Sequence, residues 1–103
     1  MIVVRTDIVE RYLARSSGGE GMAAARKAFQ AWRLIALTSN WRTPIDVKQS
    51  HPKVSVLRRG RAVFNIKAND YRLVAQINYA AGTVEIRFFG HHAEYDSVNA
   101  QTV

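Results

Sequence analysis

Residues 88–96 read FFGHHAEYD, placing His91, His92, Glu94, Tyr95 and Asp96 directly behind an apolar stretch. An imidazole with an unperturbed pKa near 6.5 can take or give a proton at neutral pH, and Glu94 or Asp96 could orient it. His92 and Asp96 are four apart and His92 and Tyr95 three apart, so one helical turn would show them on one side. Zinc is the other chemistry these types suggest, with His51 as a distant ligand beside His91, His92, Glu94 or Asp96. Adjacent histidines diverge on most backbones, however, and the chain has neither an HExxH pattern nor a cysteine. No metal and no cofactor are therefore expected. A glycine-rich phosphate loop, a nucleophile elbow and a dinucleotide fingerprint are also missing. Each residue has a plainer reading too. A histidine can cap a helix, Tyr95 can pack with its hydroxyl at the surface, and Trp32 and Trp41 read as core and rim.

Positive charge lies upstream of this segment. The formal net charge is +7. Residues 42–72 hold Arg42, Lys48, Lys53, Arg58, Arg59, Arg61, Lys67 and Arg72 against Asp46 and Asp70, a balance of +6. From residue 88 onward the sign reverses, with Glu94 and Asp96 and no Lys or Arg. A basic middle of this kind favours a polyanionic partner, most simply nucleic acid, although many small proteins are basic without one.

The elements that must position these groups fit one domain, residues 1–103. At this length roughly 60–70 % of the unfolded chain's surface can be buried, and 48 % apolar residues is a globular composition. The absence of cysteine excludes disulfides. The start MIVVRTDIVERYLARS turns charged at once, so neither a signal peptide nor a membrane span is read there, and a soluble cytoplasmic protein is expected. Residues 2–5 read as a strand and IVERYLARS as a helix with Ile8, Val9, Tyr12 and Leu13 inward. SSGGEG at 16–21 breaks the pattern, and a second helix over 21–38 buries Ala25, Phe29, Trp32 and Ala36. Thr43 and Pro44 open a short helical turn, PIDVKQ. After Pro52 the period falls to two, and VSVL, RAVFNIK, YRLVAQINY and TVEIRFF read as strands between turns. The expectation is an α+β fold, with an N-terminal strand and two helices packed on one face of an antiparallel sheet and a short C-terminal helical segment.

Strand register then groups the side chains. A two-residue turn at Asn69 and Asp70 would put Lys67 across from Arg72, Phe64 across from Ala75 and Ile66 across from Leu73. The next hairpin should bring Val84, Ile86 and Phe88 to the apolar face, and Arg72, Arg87 and Gln76 together on the other. That open face would carry Asn65, Lys67, Arg72, Arg87 and Arg61. Opposed like charges are destabilising, and either a bound phosphate or a nearby Glu94 or Asp96 would offset them. Gly90 should allow a sharp change of direction, so that the histidine segment leaves the sheet near Arg72. A proton acceptor, a proton donor and positive charge suit metal-independent RNA cleavage, in which the substrate's own 2′-OH attacks the adjacent phosphate.

The stretch VFNIKANDYRLVAQINYAAGTVEIRFFGHHAEYD, residues 63–96, resembles the HigB family of bacterial toxins. Its runs VFNI-K, YRLV, IN-Y and IRF-x-G-x-HAEYD are shared, as is the upstream W-x-TP-x-DVK of Trp41, Thr43, Pro44, Asp46, Val47 and Lys48. The resemblance implies a RelE-like fold and an mRNA interferase of a type II toxin-antitoxin pair. Its partners would be mRNA, the ribosome and a HigA-like helix-turn-helix antitoxin, with promoter DNA bound by the pair. On this reading Lys67, Arg72 and Arg87 hold the scissile phosphate and His92 and Tyr95 transfer protons. His91, Glu94 and Asp96 would support them, and Lys48, Arg58, Arg59, Arg61 and Asn65 would extend the RNA contact. His91 departs from the family pattern, where threonine is common. The rival expectation is a catalytically inactive RNA- or DNA-binding module using the same basic face, with salt-sensitive binding. A purely structural interaction protein uses least of the sequence.

Overall fold

The computed structural model describes residues 1–15 and 21–103. In chain order it contains β1 (Ile2–Val4), α1 (Asp7–Arg15), α2 (Met22–Thr38), α3 (Pro44–Ser50), β2 (Ser55–Val56), a 3₁₀ turn (Arg58–Gly60), β3 (Arg61–Ile66), β4 (Tyr71–Asn78), β5 (Thr83–His91) and α4 (His92–Tyr95). The sequence break expected at 16–21 lies, apart from Gly21, outside the described residues.

The helices form where the apolar spacing demands. Val9, Tyr12 and Leu13 are the buried face of α1, and Ala25, Phe29, Trp32 and Ala36 that of α2. A capping box fixes α3. The Thr43 hydroxyl accepts from the Asp46 N–H while the Asp46 carboxylate accepts from the Thr43 N–H, and Pro44 follows the cap. Backbone N–H groups of Arg42 and Thr43 hold the Asp46 carboxyl below the usual carboxylate range.

Five strands make one sheet in the order β1-β5-β4-β3-β2. Only β1 runs parallel, beside β5, and the other pairings are antiparallel. Helical side chains meet Phe64, Ile66, Tyr71, Leu73, Ala75, Ile77, Val84, Ile86 and Phe89 in one core. Phe29 is fully buried there, and truncation to alanine would cost about 3–5 kcal/mol. Trp32 and Trp41 are both buried. Among the described residues no helix is long and apolar enough to cross a membrane.

Two features of register differ from expectation. In the β3–β4 hairpin Ile66 pairs with Tyr71, Asn65 with Arg72 and Phe64 with Leu73, so the turn takes residues 67–70 rather than 69–70. Lys67 and Ala68 supply its left-handed conformations, at φ 52° and 54°. The expected opposition of Lys67 and Arg72 is absent. Lys67 instead pairs with Asp70 (3.3 Å), and a Cβ on Gly21 would come within 2.8 Å of its amine, which places the amine at the start of α2. Because the slip is by two residues, the faces of β3 keep their sense.

The second difference is a bulge. Ala75 pairs with Ile86 but Val74 pairs with Phe88, leaving Arg87 as the extra residue. Val84 and Ile86 face the core before it, and Phe89 takes the core position after it. Phe88, expected inward, therefore faces the side away from the helices. Gly90 does not turn the chain. It remains in β5 with Arg72 as its neighbour on β4.

Candidate active site

The face away from the helices consists of three rows across the central strands. Arg61, Gln76 and Glu85 make one, Val63, Val74 and Phe88 the next, and Asn65, Arg72 and Gly90 the third. Val63 and Val74 are buried although they lie outside the main core. Residues beyond α4 fold back over this side, so the face is only partly open, contrary to expectation. The Gln101 amide and the Arg58 backbone exchange two hydrogen bonds (2.8 and 3.2 Å). Arg61 donates to the carbonyls of Ala100 and Val103, and Arg87 donates to Val103 (3.1 Å).

The cations of this face fall into two groups, of which the covering segment meets one. Arg61 also donates to the Gln76 side chain (2.7 Å), and Arg87 pairs with Glu85 (3.2 Å). Burial, followed by the nearby Arg87 charge, lowers the Arg61 pKa. Arg58 and Arg59 sit exposed beside this group on the 3₁₀ turn. The expected grouping of Arg72 with Arg87 and Gln76 is thus not formed. The apolar row intervenes, because the bulge sets Arg87 beside Glu85. Lys48 is exposed on the last turn of α3.

Arg72 belongs to the other end. Its Nη1 donates to the carbonyls of Asn69 (2.8 Å) and Tyr71 (3.2 Å), which fix the guanidinium against the β3–β4 turn. None of the described carboxylates pairs with it. The same turn holds α4, because the His92 N–H donates to the Asp70 carbonyl (2.9 Å). Asn65 lies directly across from Arg72 and its amide reaches Asn69 (3.4 Å).

Gly90 leaves room at this point. A Cβ there would stand 2.8 Å from Cζ of Phe88, so the phenyl ring lies over the glycine. Tyr95 in turn packs against Phe88, with centroids 6.4 Å apart. Arg72, the Phe88–Tyr95 pair and the exposed His92 therefore share one end of the sheet.

The two histidines do different work. His91 caps α4, its Nδ1 accepting from the Ala93 N–H, and its ring meets Tyr71 edge to face. His92 is exposed on the first turn, and its ring lies 4.1 Å from that of His91. Neighbouring rings thus converge where divergence was expected, because His91 ends a strand and His92 begins a helix. Glu94 does not orient an imidazole. Its Oε1 accepts from the Tyr12 hydroxyl (2.5 Å) and the His91 N–H (3.1 Å), tying α4 to α1. Burial first, and the Glu94 hydrogen bond second, push the Tyr12 pKa up to about 12. Asp96 is exposed at the C-terminal end of α4, and its carboxylate accepts no hydrogen bond from the described residues.

His51 does not join the two histidines of this constellation and packs edge-on against Trp41 and Phe64. Among the described residues no three His, Asp or Glu side chains converge.

Residues 25–98, from α2 through α4, match a family model described as HigB_toxin, the RelE-like toxic component of a toxin-antitoxin system. The chain belongs to this HigB toxin family. No curated protein matches it. The HigB match includes Arg72, Arg87 and all of α4, and it stops at Val98, before the residues that occupy Arg61 and Arg87. As the toxic component of such a system, the HigB chain has an antitoxin for partner. The α+β architecture agrees with the RelE-like description.

Sequence reasoning missed Tyr12, Phe88 and the structural use of Glu94. The doubled aromatic FF was the available signal for the bulge, since strict alternation has room for only one of two adjacent rings on the core face. For residues 98–103 the signal was the apolar Val63 and Val74 on a face otherwise read as polar.

Proposed function

We propose that this toxin is an mRNA interferase, a metal-independent endoribonuclease that cuts translated mRNA on the ribosome. The observation that carries the reading is Arg72, a cation oriented by two carbonyls and paired with no carboxylate among the described residues, at the place where α4 is stitched to the turn. A guanidinium so held is preorganised for the charge that grows on the non-bridging oxygens as phosphorus becomes pentavalent.

The substrate's 2′-OH is the nucleophile. His92, exposed beside Arg72's turn, accepts its proton or returns one to the leaving 5′-oxygen, and Tyr95 is the second proton-transfer group. The products are a 2′,3′-cyclic phosphate or 3′-phosphate and a 5′-OH. Asn65 contacts the RNA beside Arg72, and Asp96 stands at the rim. His91 and Glu94 position α4. Lys67 shapes the turn through Asp70, which leaves Arg72 as the principal phosphate ligand. Exposed Arg58 and Arg59 form a second basic surface for the strand, with Arg61 and Arg87 behind it beneath residues 100–103, and exposed Lys48 makes a peripheral phosphate contact. The partner is a HigA-like helix-turn-helix antitoxin that binds promoter DNA with the toxin, and the site of action is the cytoplasm.

The test is induced expression with mapping of new 5′-OH ends in cellular mRNA. Removing one preorganised donor typically costs 10²–10³ in rate, so Arg72→Ala should lose the ends by about that factor while remaining folded. Undiminished ends in the folded variant would refute the site. No ends from the parent protein would favour the non-catalytic RNA-binding module.

A further inference from the structure

Beside the candidate site lies a cleft to which no role has been given. Its volume is about 310 Å³, and it opens between residues 50–54 and the edge of β3, bounded by Ser50, His51, Lys53, Phe64, Asn65 and Ala68. It exists because β2 is short. The Arg61 carbonyl accepts from the Leu57 N–H (2.8 Å), and Val63 pairs with Ser55, so odd residues of β3 turn their N–H and C=O toward the β2 side. The next such residue is Asn65. β2 begins at Ser55, so among the described residues the N–H and C=O of Asn65 face the cleft without a strand partner.

We infer that the cleft is a nucleobase pocket, which receives one base of the single-stranded RNA whose neighbouring phosphate Arg72 holds. This rests on the ribonuclease reading above. Asn65 links the two places, since it borders the cleft and is the cross-strand neighbour of Arg72. Its unpaired N–H and C=O supply an adjacent donor and acceptor, which is what the edge of an unstacked base requires. His51 and Phe64, held edge to face at 5.0 Å, give an aromatic boundary. Burial keeps the His51 pKa below its ordinary 6.5, so that boundary is uncharged at neutral pH. The Ser50 hydroxyl already accepts from Trp41 Nε1 (3.0 Å) and retains its own hydrogen to donate. Lys53 is exposed at the rim, within reach of a following phosphate.

A peptide strand fits less well. Only one residue of the β3 edge is left unpaired on this side, so an added strand would gain a single pair of ladder bonds. The volume is at the low end for ligand pockets, roughly 300 Å³, and suits one ring system.

The experiment uses ¹⁵N-labelled protein and 2′-O-methyl trinucleotides of A, C, G and U, which cannot be cleaved, together with an abasic trimer. Ala68→Phe serves to fill the cleft from an exposed turn position. The expected result is movement of the Asn65 amide and the Arg72 Nε–H signal with at least one base. Removing the bases should weaken binding roughly tenfold in the parent, as for loss of a stacked base, but hardly at all in Ala68→Phe. Movement of Arg72 with a still Asn65 amide, or an equal abasic penalty in both proteins, would overturn the pocket while leaving the ribonuclease reading intact. No binding of any trimer, with Arg72 unmoved, would remove both. The amide readout is taken on the parent protein, so a folding defect in the variant cannot obscure it.

Discussion

Replacing Tyr12 with phenylalanine tests how α4 is held. The hydroxyl is the one direct side-chain tie between α1 and Glu94 of α4 among the described residues, at 2.5 Å, and Tyr12 is only 8 % exposed. Phenylalanine would keep the edge-to-face contacts with Phe89 (5.4 Å) and Tyr71 (6.2 Å), so packing changes little. A hydrogen bond to a carboxylate in a partly buried setting contributes about 1.5 kcal/mol. In a domain of this size that corresponds to a fall in Tm of roughly 6–12 °C. The loss should reach activity as well, because Glu94 would keep only the His91 N–H and the helix carrying His92 and Tyr95 would loosen. The pH dependence gives a second, independent check. Tyr12 has its pKa raised from 10.0 to about 12, first by burial and then by Glu94, so the folded state favours the protonated phenol. Stability from this source is fully present below pH 10 and is lost as pH rises from 10 to 12. Thermal melts of both proteins across that range should therefore converge toward the alkaline end. Equal Tm values at pH 7, or curves that stay parallel from pH 10 to 12, would refute the tie.

Gly90→Ala should displace the Phe88 ring from beneath Tyr95 at a cost of about 1 kcal/mol, with a larger proportional loss of 5′-OH ends than of melting temperature. Unchanged cleavage would mean that the ring's position is immaterial. His51→Phe should flatten the acid limb of the stability curve. The imidazole pKa is lowered by burial, so its contribution is present above pH 6.5 and lost as pH falls below it, and melts at pH 7 and pH 5 would show the difference. Deleting residues 99–103 should free Arg61 and Arg87 for phosphates. The slope of log K against log salt for single-stranded RNA would steepen by about 1.4 for two added contacts, and an unchanged slope would show that the arginines take no part.

The sequence was a good guide where local chemistry and burial agree. Helical spacing located Phe29, Trp32 and Ala36, and Thr43 with Pro44 marked the start of α3. The HigB motifs pointed to the family. Register was harder, because Asn69 and Asp70 are the better turn formers by residue type, yet the backbone puts Lys67 and Ala68 in the left-handed region. Alternation survives a two-residue slip, so the side of Arg72 was legible and its cross-strand neighbour was not. Local spacing also could not show that Glu94 is used by Tyr12, 82 residues away, or that Val103 lies over Arg61 and Arg87. Those contacts depend on how the layers close.

The bulge at Arg87 sets one side chain outside the packing order of its strand. On either side of it β5 alternates between the core, where Val84, Ile86 and Phe89 are buried, and the opposite face. The inserted position is exempt from that alternation, and its side chain lies at the margin with Glu85 and Val103 for company. Altering its charge therefore acts on Glu85 and on the hold over Val103 rather than on the core packing. The strand thus carries one position whose side chain is placed by charge partners rather than by packing, separated from Arg72 by a row of valine and phenylalanine.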